Sequence, residues 1–218
     1  MISIRSIAQA WCLAVATAYI GALSLKAWNT EVYWLAAAVF YVYTFANFMG
    51  KKSFWLPLFV PFGFLLCAPN VHSVPLLGIG VISYFYFGNH PISLRKIPLV
   101  KNISIALSWA LVNGVFHTES SLERTLAHFF IVLSLSLIID FYQQDQDSGK
   151  LVTAPSVLGK WWTWIFVFAL QGVAALYLPK PLWFTTLFAQ WLFGVTRYDM
   201  LREIPYMLFC GGLYELNT

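Results

Sequence analysis

Residues 131–150 read IVLSLSLIIDFYQQDQDSGK. Nine consecutive residues, Ile131 to Ile139, carry no charge, and then a carboxylate, Asp140, opens the longest polar interruption in the chain. A carboxylate at or inside the end of so apolar a run is costly to bury, which makes it a candidate functional group by default. The rest of the sequence explains the apolar run. Apolar residues make up 60% of the 218 and charged residues 10%, against about 45–50% and about 25% in soluble domains. Aromatics reach 18%, with 10 Trp, 11 Tyr and 19 Phe, and mean hydropathy is +0.70. A water-soluble domain cannot hide that much apolar surface. The composition therefore implies a polytopic integral membrane protein. It excludes a disordered chain, a disulfide scaffold and a nucleic-acid-binding module. The net charge of +4 comes from scarce charges between apolar runs, and these set topology rather than select acidic partners.

A helical span needs about 17–25 residues to cross a hydrocarbon core about 30 Å thick. Apolar runs bounded by charges, Pro, Gly and Asn fall at 6–25, 32–50, 54–69, 73–88, 99–117, 122–140, 160–178, 181–197 and 203–217. These predict about nine transmembrane helices in one membrane domain, residues 1–218. Several are short for a crossing, so seven spans with re-entrant pieces is the alternative. With nine spans and the N-terminus inside, Arg5, Lys51, Lys52, Arg95, Lys96, Lys101, Lys150, Lys160, Arg197 and Arg202 face inward. Lys26, Arg124 and Lys180 face outward, a division of 10 against 3 in the direction of the positive-inside rule. The expected topology is a cytoplasmic N-terminus and an external C-terminus, in a bacterial inner membrane. The first apolar run is read as a retained helix rather than a signal peptide. Lipid leaves only helices or closed barrels as spanning structures. Runs without strict alternation favour an all-α bundle.

Three interruptions lie on the inner side. In the first after span six, Asp140, Gln143, Gln144 and Asp147 are spaced i, i+3, i+4 and i+7 and share one face if the helix continues. Carboxylates in that pattern suit a hard divalent cation, with Mg2+ and bridging phosphates the usual occupants. A polar loop solvating its own charges is the competing explanation. The second gap runs Asn47-Phe-Met-Gly50-Lys51-Lys52, where lysines either hold phosphate or anchor topology. The third, Gly88 to Lys101, holds His90, Arg95, Lys96 and Lys101, which also suit anionic lipid. Together the three loops predict a diphosphate–metal pocket at the cytoplasmic face. Trp161, Trp162 and Trp164 beside Lys160 read as an interfacial aromatic belt. No nucleophile triad, glycine-rich phosphate loop or zinc-type Cys/His cluster is visible.

The stretch Ile97-Pro98-Leu-Val-Lys101-Asn102, followed by an apolar helix with Trp109, resembles the middle of UbiA-type membrane prenyltransferases. Leu135 to Gly159 resembles that family's second aspartate motif, roughly Asp-x-x-Asp-x-x-x-Asp, and the loop after it. Asp140 and Asp147 match the outer aspartates, while Gly149, Thr153, Pro155 and Gly159 echo the loop. Gln143 stands where the central aspartate would be, and Asp145 is off register. The first aspartate motif, expected near residues 44–52, is absent, with Asn47 its one remnant. The chain is also short for the family.

The resemblance implies nine helices with aspartate motifs after helices two and six. It further implies Mg2+ held against an isoprenoid diphosphate and transfer of the prenyl group to an acceptor. Under it, Asp140 and Asp147 are the metal ligands and catalytic carboxylates. Asn47, Lys51, Lys101, Gln143 and Lys150 are substrate-binding, and Tyr142 shields the allylic cation. The alternative is a non-catalytic UbiA-like protein that binds a lipid, quinone or pigment, or serves as a subunit of a larger membrane complex.

Overall fold

The computed structural model describes residues 4–25, 28–49, 73–87, 93–116, 122–147, 152–178, 180–195 and 203–216. These residues form α1 (Ile4–Leu25), α2 (Thr30–Met49), α3 (Ser73–Phe87), α4 (Val100–Phe116) and α5 (Leu122–Asp147). They are followed by α6 (Ala154–Leu158), α7 (Lys160–Ala175), α8 (Lys180–Val195) and α9 (Glu203–Glu215), and a single 3-10 turn, Leu94–Lys96, precedes α4. Eight of the expected spans coincide with helices; the remaining one, 54–69, lies outside the described residues.

Two differences from the sequence expectations matter. First, α5 does not stop at Asp140 but runs on to Asp147, 26 residues in all, or roughly 39 Å at 1.5 Å per residue. Glutamine and the aspartates after Tyr142 contain no Gly or Pro to break the ladder, so the helix leaves its apolar stretch without stopping. Second, the loop before α7 contains the short helix α6. Ser156 organises its start: its hydroxyl accepts from the Thr153 N–H at 3.2 Å and donates to the Thr153 carbonyl at 2.7 Å. Gly159, at φ +81°, turns the chain directly from α6 into α7, a conformation that L side chains resist.

The helices pack in a ring. Contacts run from α1 to α2, α2 to α4, α4 to α5, α5 to α8, α8 to α9, and back from α9 to α1. α3 packs on α4, while α6 and α7 pack on α5. α5 is the hub. Its Leu133, Leu137 and Ile138 join Ala106 of α4 and Val167 and Leu170 of α7 in one buried cluster. One turn group nearer its N-terminus, Ala127 and Ile131 meet Ala174, Leu178 and Leu182. α1 docks by a different device. Ala10, Ala14, Ala18 and Ala22 recur every four residues and all are buried, a small-residue stripe that lets neighbouring backbones approach closely.

Among the described residues, α5 contains the one stretch, Thr125–Tyr142, whose 18 residues have the length and apolarity to cross a bilayer; Ile7–Ala22, Leu77–Tyr86 and Val100–Leu111 are shorter apolar stretches. The outer surfaces are apolar as well. On α7, Val167, Leu170 and Ala174 are buried while Trp161, Trp162, Ile165 and Phe168 are exposed. A helix that is apolar on both faces suits a lipid surround. Of the three tryptophans expected in an interfacial belt, Trp161 and Trp162 are exposed. Trp164 instead turns inward onto the α4–α5–α7 cluster. Six buried or part-buried hydroxyls are satisfied within their own helices: Thr17, Ser104, Ser134, Thr163, Thr185 and Thr186 each donate to a carbonyl three or four residues earlier. That is the economical way to carry polar groups in an apolar medium.

Candidate functional site

The turn before α4 sets the site. Pro98 accepts from the Val100 N–H at 2.7 Å, and Leu99 between them has φ +63°. For a non-glycine residue this left-handed backbone costs on the order of 1 kcal/mol. The tight turn puts Lys101 and Asn102 in the first turn of α4, opposite the far end of α5.

There the Lys101 Nζ lies 2.6 Å from Oδ1 of Asp140. Asn102 Nδ2 donates to Oδ2 of the same carboxylate at 3.1 Å and to Ser136 Oγ at 3.2 Å. Ser136 in turn donates to the Leu133 carbonyl at 2.9 Å. Asn102 is fully buried. The Asp140 side chain is 4% exposed and that of Lys101 19%. The carboxylate is thus closed in, while the ammonium still reaches the surface. An ammonium carries three N–H donors. One goes to Asp140, and the others have no partner among the described residues.

The sequence expectation gave Lys101 to a diphosphate and Asp140 to a metal, as separate parts. The structure joins them in one pair. It also recruits two groups to which no role was assigned, Asn102 and Ser136. The signal was present: Asn102 follows Lys101, and Ser136 lies four residues before Asp140, on the same helix face.

The backbone of α5 is helical throughout Asp140, Gln143, Gln144 and Asp147, the condition on which their spacing along one side of the helix rests. Tyr142 lies about 200° round the helix from Asp140, at 100° per residue. Its ring meets Phe141 at 5.4 Å and Trp164 at 6.5 Å, both edge-to-face, so it belongs to the α7 side and not to the Lys101 side. Asn47 lies in α2, two residues before its last residue, Met49. Lys51 and Lys150 lie outside the described residues.

Two solved structures match nearly the whole chain. One is a UbiA homolog from Archaeoglobus fulgidus bound to GPP and Mg2+, at 13% identity and TM-score 0.55, covering 98% of this chain and 97% of that one. The other is a UbiA homolog from the same organism bound to Cd2+, at 15% identity and TM-score 0.53, with the same coverage. The fold is UbiA-type. No protein-family model and no curated protein matches the chain. The 97% coverage also qualifies the expectation that the chain is short, since it matches one UbiA homolog almost end to end.

The UbiA fold implies Mg2+, and the donor set can be tested for it. Both oxygens of Asp140 are already held by protein donors, and the Lys101 ammonium stands 2.6 Å from Oδ1, so a hard cation at that oxygen would meet like charge at close range. Among the described residues no group of three or more His, Cys, Asp or Glu side chains converges on a point. The sequence contains no Asp or Glu between Glu31 and Glu119, so the whole region of a first aspartate cluster lacks carboxylates. Asp147 is seven residues beyond Asp140, roughly 10 Å along the helix axis. Two ligands of one magnesium ion stand only about 4 Å apart, since each bond is about 2.1 Å. The residues described do not fit the metal site that the fold implies.

Proposed function

We propose that the chain is an integral membrane protein of UbiA type that binds an isoprenoid diphosphate and transfers its prenyl group to an acceptor. The Lys101 ammonium, held by Asp140 and with N–H donors that have no further partner among the described residues, carries this reading. It stands beside Asp140, two turns before the end of α5, where the second aspartate motif of the family is expected to begin, and it offers a fixed cation to phosphate oxygens. In the transfer, the allylic C–O bond breaks and its electron pair leaves with the diphosphate. The acceptor's nucleophile then bonds to the allylic carbon and gives up its proton. Positive N–H donors aimed at the departing oxygens stabilise the charge that develops there. Asp140 acts as a positioning residue, because it touches Lys101. Asn47, Gln143, Asp147, Lys51 and Lys150 complete the proposed head-group site. Titrating the purified protein with geranyl diphosphate and following diphosphate release in the presence of candidate acceptors tests it. Turnover is expected to fall at least about tenfold in Lys101→Met, the loss of one charge-assisted contact, and less in Asp145→Ala, which lies off the face that carries Asp140. Equal tolerance at both positions would count against transfer.

The Asp140 carboxylate, engaged by a protein donor on each oxygen, favours a second reading, a non-catalytic UbiA-like protein that binds a neutral lipid, quinone or pigment, or works as a subunit of a membrane complex. Binding of such a lipid without any prenyl transfer would support it.

The proposed orientation keeps the N-terminus and the Lys101–Asp140 end cytoplasmic, in a bacterial inner membrane. Reporter fusions near residues 51, 95, 148 and 199 are expected to read cytoplasmic, and those near 28, 71, 119 and 217 external. A reporter near 148 reading external would remove both the orientation and the cytoplasmic site.

A further inference from the structure

We infer that Lys101 replaces the metal ion in this chain, so that its head-group site takes phosphate oxygens without a divalent cation. The inference rests on the isoprenoid diphosphate reading and deepens it. A metal in such a site has two jobs: it is held by carboxylate, and it presents positive charge to phosphate. Lys101 does the first at 2.6 Å from Asp140 Oδ1. It meets the condition for the second, because its side chain keeps 19% of its surface exposed while its carboxylate partner is closed in. Asn102 donates to the other oxygen of Asp140 at 3.1 Å, so a metal at that carboxylate would have to compete with a protein donor on each oxygen. Position is fixed from below as well. Lys101 donates its backbone N–H to Ile97 at 3.1 Å, and Leu99 in its strained conformation sits between them. Strain of this kind persists only where its surroundings over-determine it.

The two accounts give opposite signs for one substitution. If Asp140 ligates a metal, Asp140→Asn removes a ligand, and binding of the metal–diphosphate falls. If Asp140 only holds Lys101, Asp140→Asn removes a negative charge beside the phosphate site. The amide oxygen still accepts from Lys101, and anion binding tightens.

The experiment is calorimetric titration of the full-length protein in detergent with geranyl diphosphate, in EDTA and again in millimolar Mg2+. Wild-type affinity is expected to agree within about threefold between the two conditions. In EDTA, Lys101→Met is expected to weaken binding about tenfold or more, the value of a charge-assisted hydrogen bond. Lys101→Arg should retain it within about threefold, and Asp140→Asn should tighten it or leave it unchanged. The last two variants carry the test even if Lys101→Met unfolds. Binding that needs Mg2+ and is lost in Asp140→Asn overturns the inference and leaves the diphosphate reading standing. Absence of binding in both conditions overturns the inference together with the diphosphate reading.

Discussion

Asp140→Ala is expected to lower the free energy of unfolding by about 3 kcal/mol, toward the low end for breaking a buried ion pair. The low end applies because Lys101 is partly exposed and can be rehydrated, whereas the Asp140 side chain is 4% exposed. The loss has three parts. Lys101 is left without its counter-charge, Asn102 Nδ2 loses one of its two acceptors, and the α4–α5 contact loses its polar fastening at this end. The double variant Lys101→Met with Asp140→Leu is expected to recover most of the loss, because replacing both partners of a buried pair by apolar groups is close to neutral. Unfolding curves in graded denaturing detergent would measure both. If Asp140→Ala unfolds like wild type, the pair contributes nothing to the fold and the carboxylate is free for another role. Any activity assay on Asp140→Ala must therefore be read against its stability, which makes Asp140→Asn the cleaner functional variant.

Leu137→Ala is expected to cost about 2 kcal/mol, the value of a cavity of roughly 80 Å3 at about 24 cal/mol per Å3. Leu137 is fully buried on α5, in the cluster that joins α4, α5, α6 and α7. In a water-soluble core the same change would also forfeit the transfer of the leucine side chain from water, taking the total toward about 4 kcal/mol. In a bilayer the unfolded reference keeps that side chain in lipid, so the transfer part vanishes and only the packing loss remains. The size of the effect thus reports on the solvent. A value near 4 kcal/mol, measured by the same unfolding curves, would contradict a lipid surround for this bundle.

The sequence by itself determined the class of the molecule. Apolar runs of helical length, cut by Gly, Pro, Asn and charge, are a one-dimensional signal, because a lipid-buried backbone must close its hydrogen bonds within each segment. Helix positions such as Ser73–Phe87 and Lys160–Ala175 follow from that constraint with no knowledge of neighbours. The spacing of Asp140, Gln143 and Asp147 along one side of the helix was legible for the same reason, since it needs only the helical period. The length of α5 was less so. Hydropathy drops at Asp140, but the residues that follow are capable helix formers, and nothing in Tyr142–Asp147 stops the hydrogen-bond ladder.

What only the tertiary structure decided is who stands next to whom. Lys101 and Asp140 lie 39 residues apart and read separately as an anion-binding lysine and a metal-binding aspartate. Both readings are chemically sound for isolated residues. Packing α4 on α5 brings them to 2.6 Å, and at that distance a carboxylate that has an ammonium has less need of a metal. Trp164 is a second case. Trp161 and Trp162 are exposed in the first turn of α7, whereas Trp164 packs on Phe141 and the α5 core. Composition cannot distinguish these tryptophans. The physical reason is the same in both cases. Helix formation is fixed by local hydrogen bonding, whereas the chemistry of a charged or aromatic side chain is fixed by contacts whose partners lie far away in the chain.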